Sequence, residues 1–232
     1  YFTDRETPLA ACRELIGALF DKKAIAAGRS CWVEKTPSNL LKISFLKELY
    51  PDAIFIHINR DPRAVVYSLL KQSWAPDNIV DAANFMRGTY EKWLWLRNDL
   101  PPSTLNNYHE VKLEDLISNP DEVLNSLVIK CGLSPYETSG LDLVKTAIKS
   151  YMGGDMTNAD AIDRKLNTWK FALPMEDVEL LNQTYGKIVE AMGYRLPGST
   201  IAEAIGYEST EKPMNHGSSG KSWLDKLSGL IR

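Results

Sequence analysis

Apolar residues set the rhythm of the chain. Leu9, Cys12, Leu15, Ile16, Leu19 and Phe20 recur at helical spacing, which predicts an amphipathic helix from Pro8 to about Ala27. Residues 31–36, Cys-Trp-Val-Glu-Lys-Thr, form a short apolar run ending in charge and read as a strand. Residues 38–50 read as a helix with Ser38 or Asn39 placed to cap it. Residues 53–58, Ala-Ile-Phe-Ile-His-Ile, are rich in β-branched side chains and nearly all apolar, the pattern of a central parallel strand covered on both faces. A helix follows at 61–72, with Asp61 at its N-cap and Pro62 at its first position. A loop through Pro76 leads to a long helix from about Asn78 to Arg97, carrying Tyr90, Trp93 and Trp95. Residues 106–117 give a strand and a short helical turn, and 119–133 a helix ended by Gly132. A further helix is expected near Gly140 to Met152, a loop over 153–169, and a last core helix from Pro174 to Gly193.

Strands alternating with helices imply an α/β fold with a parallel sheet. The expected layout is one domain over residues 1–206, a polar linker with Gly and Ser at 207–221, and a terminal helix at 222–232. That last segment places Trp223, Leu224, Leu227, Leu230 and Ile231 on one face. It reads either as docking on the domain or as contacting a partner or a membrane surface.

Composition narrows the classes. The 232 residues are 44% hydrophobic and 25% charged, which is ordinary for a folded domain. A net charge of −3 argues against a nucleic-acid binder, which carries a basic patch. Three cysteines, Cys12, Cys31 and Cys131, are odd in number and lack metal-like spacing, so a reducing, cytoplasmic compartment is expected. No run approaches 18 apolar residues and no signal peptide pattern is visible. Tyr1 stands where Met would open a gene product, so a processed, truncated or excised chain is expected.

The chemistry concentrates where the apolar strand meets the next helix. Ligands of open α/β sheets sit beyond the carboxyl ends of strands, and a helix start there offers N–H groups and a positive dipole end to an anion. Arg60 lies at that strand end, and Ser68 lies two helical turns beyond Asp61 on the same face. An Arg and a Ser hydroxyl beside a helix start make a phosphate clamp. Pairing of Arg60 with an acid, and packing of Ser68, is the alternative.

The segment Arg60-Asp-Pro-Arg-Ala-Val-Val-Tyr-Ser68 resembles the 3′-phosphate-binding segment of the sulfotransferases that use 3′-phosphoadenosine 5′-phosphosulfate (PAPS). Residues 31–39 resemble that family's Glu-Lys-Thr/Ser-Pro segment, 111–133 its Tyr-Glu-Asp-Leu stretch, and 169–194 its closing Trp…Gly-Tyr pattern. Four segments occur in the family's order across roughly residues 31–195, closest to the bacterial and Golgi-type branch. The resemblance implies a P-loop NTPase-like parallel sheet flanked by helices, and transfer of a sulfuryl group from PAPS to a hydroxyl or amine, with no metal. It assigns Arg60 and Ser68 to the 3′-phosphate and Lys35 to the phosphosulfate. It places Arg164 and Lys165, in the loop before Trp169, as a second clamp. Trp169 itself reads as a packing residue. The acceptor, whether sugar, peptide or lipid, is open.

Two family features are not found. A Gly-rich loop near Gly-x-x-Arg-Ser-Gly-Thr, which cradles the 5′-phosphosulfate through backbone N–H groups, does not precede the Glu-Lys-Thr-Pro segment, so the first strand is expected to be missing from this chain. The general base is unplaced: Pro37 stands where one branch has His, and Glu34 points away from Lys35 by strand alternation. Gly217 to Ser222 ends like a Walker A loop but has Asn215 where Gly is needed. His57 and His109 read as strand residues satisfied by their neighbours, Asn182 as a mid-helix sequon without meaning, and Glu114 with Asp115 as helix N-terminal charges. The rival readings are a non-catalytic sulfotransferase-like binding domain and a P-loop kinase-like enzyme.

Overall fold

The computed structural model describes residues 4–133, 142, 145–150 and 159–196. The expected linker at 207–221 and helix at 222–232 lie outside the described residues, as does part of the helix expected at 140–152. Helix α1 spans Glu6–Ala26, a 3-10 helix Pro37–Lys42, α2 Ile43–Leu49, strand β1 Phe55–Asn59, α3 Pro62–Leu69 and α4 Ile79–Asp99. Then come α5 Pro102–Leu105, β2 Tyr108–Lys112, α6 Leu113–Ser118 and α7 Pro120–Lys130. Residues 145–150 are helical. Helices α8 Ala159–Leu166, α9 Trp169–Ala172 and α10 Met175–Ala191 follow.

Strands β1 and β2 pair in parallel, with Phe55 opposite Tyr108 and Asn59 opposite Lys112. The core lies where α3, α4 and α10 meet. Val66 and Leu69 of α3 pack with Trp93 and Leu94 of α4 and with Leu181, Tyr185 and Val189 of α10. Small Ala82 and Ala83 let α10 approach α4 closely enough for the Tyr185 hydroxyl to donate to the Ala83 carbonyl at 2.6 Å. Burial of each large side chain in this layer stabilises by about 1.5–3 kcal/mol.

Three local expectations are corrected. Residues 31–36 form no regular secondary structure and pair with no described strand, and Val33 is 89% exposed. A strand exists only through its neighbours, and an apolar run alone does not supply one. The helix expected from Ser38 begins instead as a 3-10 turn at Pro37, and neither Ser38 nor Asn39 is its cap. Glu34 accepts hydrogen bonds from the Thr36 hydroxyl and the Asn39 amide and closes that turn. Among the described residues β1 is covered on one face only: Ile54 just before it and Ile56 and Ile58 within it are 42%, 49% and 56% exposed.

The covered face carries a small polar cluster. Trp93 Nε1 donates to the Tyr108 hydroxyl oxygen at 3.1 Å, and His57 Nδ1 shares a hydrogen bond of 2.7 Å with the same hydroxyl. The buried setting favours the neutral form of His57. Burial first, then the Arg97 charge, pushes its pKa down to about 4. An unfolded chain therefore takes up a proton at this position between pH 6.5 and 4 that the folded chain refuses, and stability falls as pH falls through that window. His57→Asn is expected to remove on the order of 2 kcal/mol of the loss between pH 7 and 4. Urea unfolding at the two pH values checks this; an undiminished loss would rule out His57 as its source.

Candidate functional site

β1 ends at Asn59 and α3 begins at Pro62, so Arg60 and Asp61 form the whole joint between them. Asp61 caps α3 as the Asp-Pro sequence predicts, its Oδ1 accepting from the Arg63 backbone N–H at 2.9 Å. The same carboxylate takes the Arg63 guanidinium in a two-pronged pair, Nε to Oδ1 at 3.0 Å and Nη2 to Oδ2 at 2.8 Å. Arg63 is buried, at 2% exposure. Its remaining donors reach Asn182 Oδ1 at 2.7 Å and the Arg195 carbonyl at 2.9 Å, and its guanidinium stands 4.8 Å from the centre of the Trp169 ring. The pairing satisfies the fork of the guanidinium and the charge of Asp61 together, the condition for keeping a buried ion pair. Asn182, engaged here and half-buried, is an internal acceptor. Trp169 is buried as a packing residue, 2% exposed.

On the other side of the joint, Glu114 at the start of α6 reaches across from the end of β2. Its Oε1 accepts from the Asp61 backbone N–H at 3.1 Å and its Oε2 from the Tyr194 hydroxyl at 2.9 Å. Burial, then the Glu114 charge, raises the Tyr194 phenol well above its usual range, so it stays protonated and donates. Glu114 is thus more than a helix N-terminal charge. These contacts also correct the expectation of free N–H groups at the start of α3. The Asp61 and Arg63 amides are already taken by Glu114 and Asp61 carboxylates, which occupy the place an incoming anion would need.

What remains uncommitted is Arg60. It is half-buried, its Nε is buried without a hydrogen-bond partner, and no ion pair between described residues uses it. A buried N–H left without an acceptor costs about 1–3 kcal/mol. Arg60 lines an open cleft of about 280 Å³ together with Val65, Ser68, Leu69, Gln72 and Trp74. Arg60 and Ser68 therefore face one space, although eight residues separate them, because two turns of α3 return Ser68 to the side on which β1 ends. Among the described residues no other charged side chain lines that cleft. Arg60 also lies close enough to Tyr90 of α4 to act on its phenol, which burial and then Tyr185 push well above its usual range.

The other expected site residues stand apart from this cleft. Lys35 is exposed in the irregular segment before the 3-10 helix. Arg164 and Lys165 are exposed on α8, a helix where the sequence pattern suggests a loop. Ile162 and Leu166, one turn apart, anchor that helix on Ile117 of α6. The Arg164 guanidinium lies 6.0 Å from the Phe171 ring centre.

The turn after α10 completes the frame. Lys112 Nζ donates to the Gly193 carbonyl at 2.7 Å and lies 4.7 Å from the Tyr194 ring centre. Gly193 has φ +72°, and a Cβ there would meet Lys112 Nζ at 3.1 Å. Gly193→Ala is expected to cost about 1–2 kcal/mol from the left-handed backbone alone. A thermal-unfolding midpoint equal to that of the parent chain would contradict it.

The sulfotransferase family profile matches residues 3–138, a span that contains the joint, Ser68 and Glu114. The chain belongs to the sulfotransferase family. Among characterised relatives, the nodulation protein NoeE of Sinorhizobium fredii is 23% identical over 216 residues, covering 83% of this chain and 51% of NoeE. The omega-hydroxy-beta-dihydromenaquinone-9 sulfotransferase Stf3 of Mycobacterium bovis is 26% identical over 178 residues, covering 72% of this chain and 42% of Stf3. The chain thus spans about half the length of these relatives. The solved sulfotransferase domain from the curacin biosynthetic pathway superposes with a TM-score of 0.52 at 19% identity, over 80% of this chain and 69% of that one. The likeness gives this sulfotransferase family member its fold: a mixed α/β, P-loop-like architecture, mostly helical among the described residues around a small parallel sheet. In that frame the Arg60 joint occupies the carboxyl end of a sheet strand, where ligands of such folds gather.

Proposed function

We propose that this chain binds PAPS and transfers its sulfuryl group to a hydroxyl-bearing acceptor, with Arg60 and Ser68 holding the 3′-phosphate. The observation that carries this is the uncommitted Arg60. Every charged neighbour at the joint is internally satisfied, whereas Arg60 has no ion-pair partner among the described residues and lines a cleft it shares with the Ser68 hydroxyl. A phosphate supplies the missing acceptors, and an Arg fork with a Ser hydroxyl suits its geometry.

In the reaction, the bond from sulfur to the 5′-phosphate oxygen breaks as the acceptor oxygen bonds to sulfur, and the acceptor proton passes to a general base. Charge spreads over the transferring group, so cationic stabilisation and in-line positioning lower the barrier. Lys35, a mobile point charge, is proposed to follow the phosphosulfate, with Arg164 and Lys165 as a second clamp. A hydroxyl acceptor is favoured over an amine because Stf3 is named for an omega-hydroxy substrate.

Calorimetric titration with adenosine 3′,5′-bisphosphate, with ATP as the control, tests the reading. Selective binding of the bisphosphate is expected. Equal affinity for ATP, or no binding of the bisphosphate by a folded chain, would overturn it.

A further inference from the structure

Among the described residues Arg60 is set by its backbone rather than by any partner of its guanidinium, and both peptide units around it trace to the end of β2. Asn59, before it, is aligned with Lys112 in the parallel register. The Asp61 N–H, after it, is held by Glu114. Glu114 and Lys112 in turn grip the turn after α10, through the Tyr194 hydroxyl and the Gly193 carbonyl. A glutamate serving only the first turn of its own helix would spend its oxygens locally. Both Glu114 oxygens go instead to groups distant in sequence, 53 and 80 residues away.

We infer that Glu114 and Tyr194 are positioning residues that hold the Asp61 peptide so that Arg60 meets a phosphate in the cleft. The inference rests on the phosphate-clamp reading above and deepens it. Glu114 and Tyr194 touch no ligand; they fix the strand-to-helix corner from which the ligand-binding side chain departs. Tyr194 fixes the Glu114 carboxylate, and Glu114 fixes the peptide. Removing either lets the corner relax, and Arg60 loses its aim while the rest of the nucleotide pocket is unaffected.

The readout is the 3′-phosphate increment, the ratio of the dissociation constant for 5′-AMP to that for adenosine 3′,5′-bisphosphate, measured by calorimetry on the full chain. Arg60→Ala sets the scale by bringing the ratio close to one. Glu114→Ala is expected to lower the ratio about three- to tenfold, the equivalent of one hydrogen bond, with 5′-AMP affinity unchanged. Tyr194→Phe is expected to lower it about two- to threefold, and Glu114→Gln, which keeps a carbonyl oxygen for the Asp61 N–H, to retain most of it. A parental ratio in Tyr194→Phe and Glu114→Ala, or a parallel loss of both nucleotides in Tyr194→Phe, overturns the inference. If Glu114→Ala does not fold, Tyr194→Phe decides alone: a lowered ratio supports the inference and a parental one overturns it. If Arg60→Ala itself leaves the ratio unchanged, the phosphate clamp falls first and the inference with it. A lowered ratio in Arg60→Ala beside an unchanged one in the Glu114 and Tyr194 variants sinks the positioning role alone.

Discussion

Arg63→Ala will destabilise the fold by about 3–5 kcal/mol, because it leaves the Asp61 carboxylate buried without its cation. Asp61 is 8% exposed and Arg63 2% exposed. Neither can recover its hydration without opening the joint. The variant also withdraws the donors that reach Asn182 and the Arg195 carbonyl, and with them the ties from α3 to α10 and to the turn beyond it. Arg63→Lys keeps the charge but not the two-pronged geometry, and is expected to fall between the parent and alanine. Urea unfolding followed by circular dichroism reads the effect as a shift in midpoint. A shift equivalent to less than about 1 kcal/mol would mean that the joint does not depend on this pair.

The neighbouring arginine is expected to behave in the opposite way. Arg60→Ala should weaken binding of adenosine 3′,5′-bisphosphate by the energy of one or two charge-assisted hydrogen bonds, about 1.5–3 kcal/mol each, or roughly tenfold to above a hundredfold in affinity. Its cost to folding should be small. Arg60 holds no carboxylate among the described residues, and alanine removes a buried N–H that has no acceptor there. Two arginines three residues apart thus separate a structural role from a binding one. Titration and unfolding on the same two variants would show it. A folded Arg60→Ala chain with parental affinity for the bisphosphate would refute the clamp.

The joint was legible in the sequence because its information is local. An apolar run followed by Asp-Pro announces a strand, a cap and a helix start within ten residues, and the structure has β1, Asp61 and α3 in those places. The helical period also returns Ser68 to the side of Arg60 without any knowledge of the fold. What the sequence hid is what depends on distant partners. Glu114 looks like an ordinary first-turn acid until β2 pairs with β1 and brings it to Asp61. Arg63 looks like any helix residue until the Asp61 carboxylate turns toward it. The run at 31–36 has the composition of a strand, but no described neighbour completes it, and the all-apolar look of β1 says nothing about whether a second layer covers Ile54, Ile56 and Ile58. Helix α8 did leave a signal, Ile162 and Leu166 one turn apart, within a stretch whose polar residues suggested a loop.

The bond from Arg63 to the Arg195 carbonyl spans 132 residues. At the usual pace of translation, about 5–20 residues per second, about 7–26 seconds pass between synthesis of the two ends. During that time the nascent chain carries an arginine–aspartate pair whose remaining contacts do not yet exist. The strand-to-helix corner therefore gains its last contacts late, when the turn after α10 leaves the ribosome, although Arg60 and Ser68 are made more than a hundred residues earlier. A stalled chain released before Tyr194 would hold the whole recognition segment and lack the means to aim it.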